Sequence, residues 1–316
     1  MPVNENRDFK TLPRRKEWIM ADHIGVRFNK DLGRPLSTTA SELTKTNADG
    51  KPVVPLTQEQ KYLFDKDGWL LIPGVLTDSE IEEMRDFCYQ LKNAPETISP
   101  SYHRSTYGGP LETLIDHPVV VAFANEFLAS PYLTSESCYG FRMETSFLML
   151  RSTSDDPPRK FGPHNGNGMF RMPGDCHQYQ CLPGQAYSGL TRVVWELNPV
   201  GKEDGGTLFV TGSHKSAFTA PAVVRKREWE FWDTYSCPAG SVIFFTEAIT
   251  HSGQPWQNPD TDRVSVFNGY NSVDKRWKLS LPPQALIERM PPRRQTLFRD
   301  AYVSGNVTGR SFSMSL

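Results

Sequence analysis

The sequence has no long apolar run, which argues against a helix that crosses a membrane. No stretch of 18 consecutive apolar residues occurs in the 316-residue chain, whereas a spanning helix needs about 20. The opening segment, MPVNENRDFKTLPRRKEW, also lacks the apolar centre of a secretory signal. We therefore expect a cytoplasmic protein with no membrane partner.

An excess of charge of one sign is also missing. The 35 Lys and Arg residues nearly balance the 36 Asp and Glu residues, and the formal net charge is −1. Proteins that bind nucleic acid usually carry a basic surface. The balance therefore argues against a nucleic-acid partner and leaves a small molecule as the expected one. Nothing in the sequence indicates the oligomeric state.

The cysteines show no pairing pattern. There are five, scattered along the chain, and no Cys-x-x-Cys pair occurs among them. Neither a disulfide framework nor a zinc cluster is supported by this spacing. Reduced thiols are the simplest interpretation.

What the sequence does contain is an ordered succession of helix signals followed by strand signals. Residues 1–56 are polar and predict a partly extended N-terminal arm. Thr57, with Gln60 three residues later, predicts the capped start of a helix. Two further helices are predicted in SEIEEMRDFCYQL, after Thr77, and in HPVVVAFANEFLAS.

Later segments are short, rich in β-branched and aromatic residues, and separated by turns. They are CYGFRMETSFLML, TRVVWELN, GTLFVTG, GSVIFFT and RVSVFNGY. This order predicts a mainly β protein with flanking helices, a double-stranded β-helix (a cupin-like jelly roll) behind N-terminal helices. Residues 57–316 are expected to form one domain.

Two histidines stand where a strand meets a glycine-rich turn. His164 lies in FGPHNGNG, and His251 lies in SVIFFTEAITHSGQPW. A jelly roll brings the ends of opposite strands to one mouth, so these two imidazoles can meet there. Neutral nitrogen ligands with open coordination positions suit iron together with a 2-oxo acid.

Arg263 opens the next strand and shares a face with Ser265, two residues later. Both faces of that strand are partly apolar, so an inward arginine needs an anion. A guanidinium and a hydroxyl together suit the far carboxylate of 2-oxoglutarate.

These segments resemble the phytanoyl-CoA dioxygenase family of iron(II)- and 2-oxoglutarate-dependent oxygenases. The resemblance covers roughly residues 57–275. It is carried by FDKDGWLLIPGVLTDSEIEEMRDF, by EDGGTLFVTGSHK, and by FFTEAITHSGQPW followed by DRVSVF. It implies a dioxygenase with His164 and His251 as iron ligands, Arg263 and Ser265 on 2-oxoglutarate, and O2 as the oxidant.

The chain departs from the family at the third ligand. The family pattern is His-x-Asp, but His164 is followed by Asn165 and Gly166, and glycine has no side chain to coordinate. Another carboxylate could complete the site, with Glu247, Glu196 and Asp175 as candidates. Alternatively, chloride or another anion fills the vacancy, as in related halogenases. A third alternative is that two histidines and waters suffice, or that iron binding is lost and a non-catalytic binding protein remains.

The first of these alternatives is preferred, and hydroxylation of a C–H bond in a small molecule is the predicted reaction. Residues that follow His164 are expected to contact the substrate or to support the ligands. They are Asn165, Asn167 and Arg171. His177 is a further substrate candidate, either in a lid or simply in a surface loop.

Overall fold

The computed structural model describes residues 39–165, 175–182, 184–278 and 281–301. Six α-helices lie in these ranges: α1 Ala40–Leu43, α2 Gln58–Asp67, α3 Asp78–Asn93, α4 Pro118–Phe127, α5 Gln284–Ile287 and α6 Pro292–Gln295. The strands are β1 Trp69–Ile72, β2 Phe141–Arg151, β3 Gln180–Leu182, β4 Gln185–Tyr187, β5 Thr191–Glu196, β6 Leu208–Val210, β7 Trp232–Asp233, β8 Ser241–Thr246, β9 His251–Ser252 and β10 Arg263–Ser272.

The predicted helix starts lie at the capping residues. The Thr57 hydroxyl accepts a hydrogen bond from the Gln60 backbone N–H at 3.1 Å, and the Gln60 side-chain oxygen accepts one from the Thr57 N–H at 2.9 Å. Thr77 caps α3 in the same way with Glu80. Each of these capping boxes satisfies backbone N–H groups that the first helical turn leaves unpaired.

Two antiparallel sheets form the β part of the molecule. The larger has the strand order β1-β8-β5-β10-β2, and the smaller has the order β7-β6-β9. A separate hairpin joins β3 to β4. The predicted jelly roll with N-terminal helices is confirmed by this architecture and by its structural relatives, which are described below.

Apolar side chains pack against both faces of the larger sheet. On one face α4 covers the strands, and Phe123 stacks on Phe244 with ring centroids 4.3 Å apart. On the other face Phe209, Ile243 and Phe245 form a second core between the sheets. We call the face of the larger sheet that points towards the smaller sheet the inner face. Strand alternation places Glu196 on the inner face, whereas Trp195 packs on the helix side. Leu197 also belongs to the helix-side core.

Part of the N-terminal arm lies against the domain. Ala40 and Leu56 are buried in the helix-side core, and the Ala48 N–H donates to Asp116 at 3.1 Å. Residues 1–38 lie outside the described ranges, so the arm and the single-domain boundary at residue 57 stay predictions. Among the described helices, none combines the length and apolar character required to cross a bilayer.

The packing of α4 on the larger sheet yields a first prediction. Phe123→Ala should lower the free energy of unfolding by about 3–5 kcal/mol, because a cavity replaces a ring stacked in the core. Urea titration measures the change, and Phe218→Ala, at a ring that is 90% exposed, should change it by less than about 0.5 kcal/mol. Equal effects of the two substitutions would contradict the packing described here.

Candidate metal and co-substrate site

Two backbone hydrogen bonds join the segments that carry His164 and His251. The His164 N–H donates to the His251 carbonyl at 3.0 Å, and the His251 N–H donates to the His164 carbonyl at 2.9 Å. His251 also lies opposite Phe209 of β6. This bridge sets the two imidazole rings side by side, with centroids 4.2 Å apart. The predicted meeting of His164 and His251 is thus present.

In both imidazoles, Nδ1 forms a hydrogen bond with a backbone carbonyl. Nδ1 of His164 lies 2.8 Å from the Gly162 carbonyl, and Nδ1 of His251 lies 2.9 Å from the Ile249 carbonyl. A carbonyl only accepts, so each Nδ1 carries the proton and each Nε2 keeps its lone pair. Burial lowers the pKa of His251 to about 4, which keeps that ring neutral at neutral pH.

Glu247 completes a group of three ligand-type side chains. It follows β8 directly and lies four residues before His251, where its N–H donates to the Leu190 carbonyl at 2.8 Å. The coordinating atoms of His164, Glu247 and His251 all lie within 4.8 Å of one another. Oε2 of Glu247 is 3.7 Å from Nε2 of His251. The turn after β8 therefore aims a carboxylate at the two histidines.

Arg192 holds the other oxygen of this carboxylate. Its Nε donates to Oε1 of Glu247 at 2.5 Å, and its Nη1 donates to Thr145 at 2.7 Å. Burial on its own would raise the pKa of Glu247, but the charge and hydrogen bond of Arg192, together with the nearby His251 and His164, outweigh burial and lower the pKa to about 2. The carboxylate is thus ionised, with Oε1 on the guanidinium and Oε2 towards the histidines.

A second buried ion pair lies deeper between the sheets. The Glu196 carboxylate accepts hydrogen bonds from Nη2 of Arg263 at 2.6 Å and from the Tyr235 hydroxyl at 2.6 Å. The Ser265 hydroxyl donates to the same carboxylate at 2.5 Å. Burial opposes the charge of Arg263, but Glu196 more than compensates and raises its pKa. The anion that this inward arginine requires is therefore Glu196, a residue of the chain itself.

One nitrogen of the Arg263 guanidinium group, Nη1, nevertheless faces the space between the sheets. Within the described ranges, the one hydrogen-bond partner of Nη1 is the Met149 sulfur, at 3.7 Å, whereas Nε and Nη2 face Glu196. Nη2 also lies 3.3 Å from the Thr207 hydroxyl. Arg263, Thr207 and Met149 line the same small cavity as the histidine group, so an anion there can reach Nη1.

This cavity has a volume of about 110 Å³. Its walls combine aromatic and apolar side chains with the ligand-type group and with arginines. The lining residues are Phe147, Met149, Arg159, His164, Arg192, Thr207, Phe245, Glu247, His251, Gly253, Arg263 and Phe267. The space suits a metal ion and a small anion better than a large substrate.

The structure separates the two glutamates that the sequence offered as third ligands. Glu247 joins the histidines, whereas Glu196 is engaged by Arg263, Ser265 and Tyr235 and does not belong to that group. Asp175 lies in another group, with Cys176 and His177. Ser265 faces Glu196 and is not among the cavity-lining residues of the described ranges.

The predicted substrate residues are placed only in part. The Asn165 side chain donates to Thr250 at 2.6 Å, and strand alternation directs both residues away from the cavity that His164 and His251 face. His177 is buried and packs edge-on against Trp277 at 5.3 Å, so the surface-loop interpretation of it was wrong. Asn167 and Arg171, like Gly166, lie outside the described residues.

Sequence reasoning missed Arg192 and Arg159. Arg192 shares the inner face of β5 with Glu196, and the alternation in TRVVWE could have indicated an inward arginine. Arg159 lies in an irregular segment, where no periodic pattern exists to show its direction.

Comparisons with known proteins identify the family of the chain. The profile of the family described as phytanoyl-CoA dioxygenase (PhyH) matches residues 64–264. The chain belongs to this family. The predicted assignment to the iron(II)- and 2-oxoglutarate-dependent dioxygenases, which use O2, is therefore confirmed.

Individual relatives are distant in sequence. The dioxygenase af480 of Aspergillus fumigatus is 23% identical over 251 residues, covering 77% of this chain and 76% of that protein. HygX from Streptomyces hygroscopicus, solved with nickel and 2-oxoglutarate, is 20% identical with a TM-score of 0.54, covering 78% of this chain and 96% of its own. The epimerase SnoN, solved with Fe3+, α-ketoglutarate and nogalamycin RO, is 19% identical with a TM-score of 0.50, covering 72% of this chain and 90% of its own.

The buried pair of Arg263 and Glu196 yields a prediction for this family member. Glu196→Gln should lower the free energy of unfolding by about 3–5 kcal/mol, because it leaves a buried guanidinium without its counter-charge. Urea unfolding measures the change. Asp155→Asn is the matched control, since its partly exposed pair with Arg151, at 3.7 Å, contributes less than about 1 kcal/mol. A similar small effect at both positions would contradict the buried network.

Proposed function

We propose that this dioxygenase hydroxylates a C–H bond of a small molecule and holds its iron with His164, Glu247 and His251. The observation that carries the proposal is the convergence of these three side chains within 4.8 Å. Two histidines and one carboxylate, with open positions left over, are the ligand set of non-haem iron(II) oxygenases. Here the carboxylate comes from the turn after β8 instead of from the residue two places after His164.

Protonation and hydrogen bonding support this ligand set. Both histidines have Nδ1 on backbone carbonyls, an arrangement that fixes the tautomer and leaves Nε2 for the metal. Arg192 orients Glu247 through Oε1 and leaves Oε2 directed at His251. Such partners of metal ligands typically contribute 10–100-fold in affinity.

The co-substrate fits the deeper part of the cavity. Arg263 offers Nη1 and Thr207 offers a hydroxyl, and both line the cavity together with the histidines. These are donors for the distal carboxylate of 2-oxoglutarate. Ser265 supports this site indirectly, because its hydroxyl holds Glu196 and Glu196 holds Arg263.

When bound, iron with 2-oxoglutarate and O2 supplies the oxidising power needed to attack an unactivated C–H bond. The chain itself positions the reactants and keeps water out. Phe147 and Phe267 stack with centroids 5.0 Å apart and, with Phe245, wall the cavity. An apolar wall strengthens electrostatic interactions inside the site.

Hydroxylation is favoured over halogenation by the position of Glu247. A halide needs the coordination position that a missing carboxylate leaves open, and Gly166 on its own would provide it. Glu247 supplies a carboxylate to that position instead. A small-molecule substrate is favoured by the structural relatives, because HygX has been solved with hygromycin B and SnoN with nogalamycin RO.

The metal ligands can be tested without knowing the substrate. Iron(II) and 2-oxoglutarate, added anaerobically to the wild-type protein, should give the weak visible charge-transfer band of the chelate. His251→Ala should abolish the band because it removes an Nε2 ligand, whereas His103→Gln, outside the site, should preserve it. A wild-type protein without the band, or a His251→Ala variant that keeps it, would refute the proposal.

Glu247 is tested by metal affinity. Glu247→Gln should weaken Co(II) binding, measured by calorimetry, by more than about 100-fold. Removing a residue that merely supports a ligand weakens metal binding by about 10–100-fold, and removing the ligand itself should weaken it more. Asp175→Asn, at the other candidate carboxylate, should leave the affinity unchanged. Equal affinities of Glu247→Gln and the wild type would remove Glu247 from the ligand set.

Addition of chloride to the iron(II) and 2-oxoglutarate chelate distinguishes a hydroxylase from a halogenase. With Glu247 bound, chloride should leave the charge-transfer band of the wild-type chelate unchanged, and Gly166→Asp should perturb the band because a second carboxylate crowds the metal. A chloride-dependent shift in the wild type, abolished by Gly166→Asp, would instead establish a halide in the vacant position.

A further inference from the structure

Arg159 is the cavity-lining cation that has no counter-charge. It lies in the segment before His164, with its side chain exposed, and it lines the cavity beside Gly253. A Cβ atom placed on Gly253 would lie 2.9 Å from Nε of Arg159, so the guanidinium group rests close over a backbone without a side chain. No ion pair or hydrogen bond joins Arg159 to any residue in the described ranges.

The other two arginines of the cavity are already neutralised. Arg192 is paired with Glu247 at 2.5 Å, and Arg263 is paired with Glu196 at 2.6 Å. A dianion that enters the cavity therefore meets two charge-balanced pairs. A carboxylate that lies away from the metal needs a local positive charge, since desolvating it without one is costly. Arg159 is the cavity-lining residue that supplies this charge.

The strand register places Arg159 at the right depth. Ser252 lies opposite Leu208, and the Gln254 side chain donates to the Gly206 carbonyl at 2.9 Å. Gly253, between Ser252 and Gln254, therefore lies near Thr207, and both line the cavity. Thr207 in turn lies 3.3 Å from Nη2 of Arg263. Gly253 is two residues after His251, which corresponds to about 6.8 Å along an extended strand. Gly253 and the overlying Arg159 thus belong to the level at which Arg263 faces the cavity.

We propose that Arg159 binds the distal carboxylate of 2-oxoglutarate, opposite Nη1 of Arg263. The inference rests on the proposed function of the site and deepens it. Arg263 provides a fixed, charge-balanced donor from the inner strand, and Arg159 provides the net charge from the segment that lies over Gly253. The co-substrate is then held between two guanidinium groups, of which only the inner one belongs to the family's motif.

The test compares two 2-oxo acids that differ in the distal carboxylate. Binding of 2-oxoglutarate and of 2-oxopentanoate to the Ni(II)-loaded protein is measured by calorimetry, for the wild type and for Arg159→Met. The substitution should weaken 2-oxoglutarate binding by about tenfold or more, because it removes a charge-assisted hydrogen bond. Binding of 2-oxopentanoate, which has no distal carboxylate, should be unchanged, as should Ni(II) affinity.

Two further variants control for charge and geometry. Lys160→Met removes the neighbouring exposed cation, which does not line the cavity, and should leave 2-oxoglutarate affinity unchanged. Arg159→Lys keeps the charge and should recover part of the lost affinity. These variants separate a direct contact from a general effect of net charge.

The outcomes discriminate clearly. Unchanged 2-oxoglutarate affinity in Arg159→Met overturns the inference and leaves the proposed function intact. Equal weakening of both 2-oxo acids also overturns it, because the effect would then come from cavity shape. If the wild-type protein binds Ni(II) but no 2-oxoglutarate, the proposed function fails together with this inference.

Discussion

The site depends on the backbone bridge between His164 and His251. Its two hydrogen bonds, of 3.0 and 2.9 Å, join segments that are 87 residues apart and fix the separation of the imidazoles before any metal is bound. Because β9 also pairs with β6, the bridge is anchored in the smaller sheet. Each ring is then oriented by a carbonyl two residues away in its own segment. The site is therefore largely formed by the fold itself.

Buried charge is the second constraint on this fold. The inner face of the larger sheet carries Arg192, Glu196 and Arg263, and burying such groups is unfavourable unless they are paired. The chain pairs Arg263 with Glu196 and Arg192 with Glu247. The Glu196 carboxylate thereby holds the arginine of the proposed co-substrate site, and the Glu247 carboxylate is directed at the two histidines of the proposed metal site. Two glutamates that looked interchangeable in the sequence take different roles because they meet different arginines.

Sequence reasoning predicted what local patterns determine. Thr57 was identified as a helix cap, and the five predicted strand segments all contain strands, because these features depend on neighbours a few residues away. The inward direction of Arg263 followed from alternation along β10. The partner of Arg263 could not be predicted in the same way, since Glu196 comes from a neighbouring strand 67 residues away.

The proposed third ligand shows the same limit. Glu247 could be named as a candidate, but its direction depends on the turn after β8 and on Arg192, which lies 55 residues away. Ser265 was assigned to the co-substrate from its shared face with Arg263 and from the family resemblance, and the structure places its hydroxyl on Glu196. Arg159 carried no signal, because an irregular segment has no period from which a side-chain direction can be read.

The most direct test of the ligand set is an anaerobic crystal structure with iron(II) and 2-oxoglutarate bound. We expect Nε2 of His164, Nε2 of His251 and Oε2 of Glu247 to coordinate the iron, while Oε1 of Glu247 stays on Arg192. A chloride ion or a water molecule in the third position, with Glu247 bound to Arg192 alone, would contradict this account.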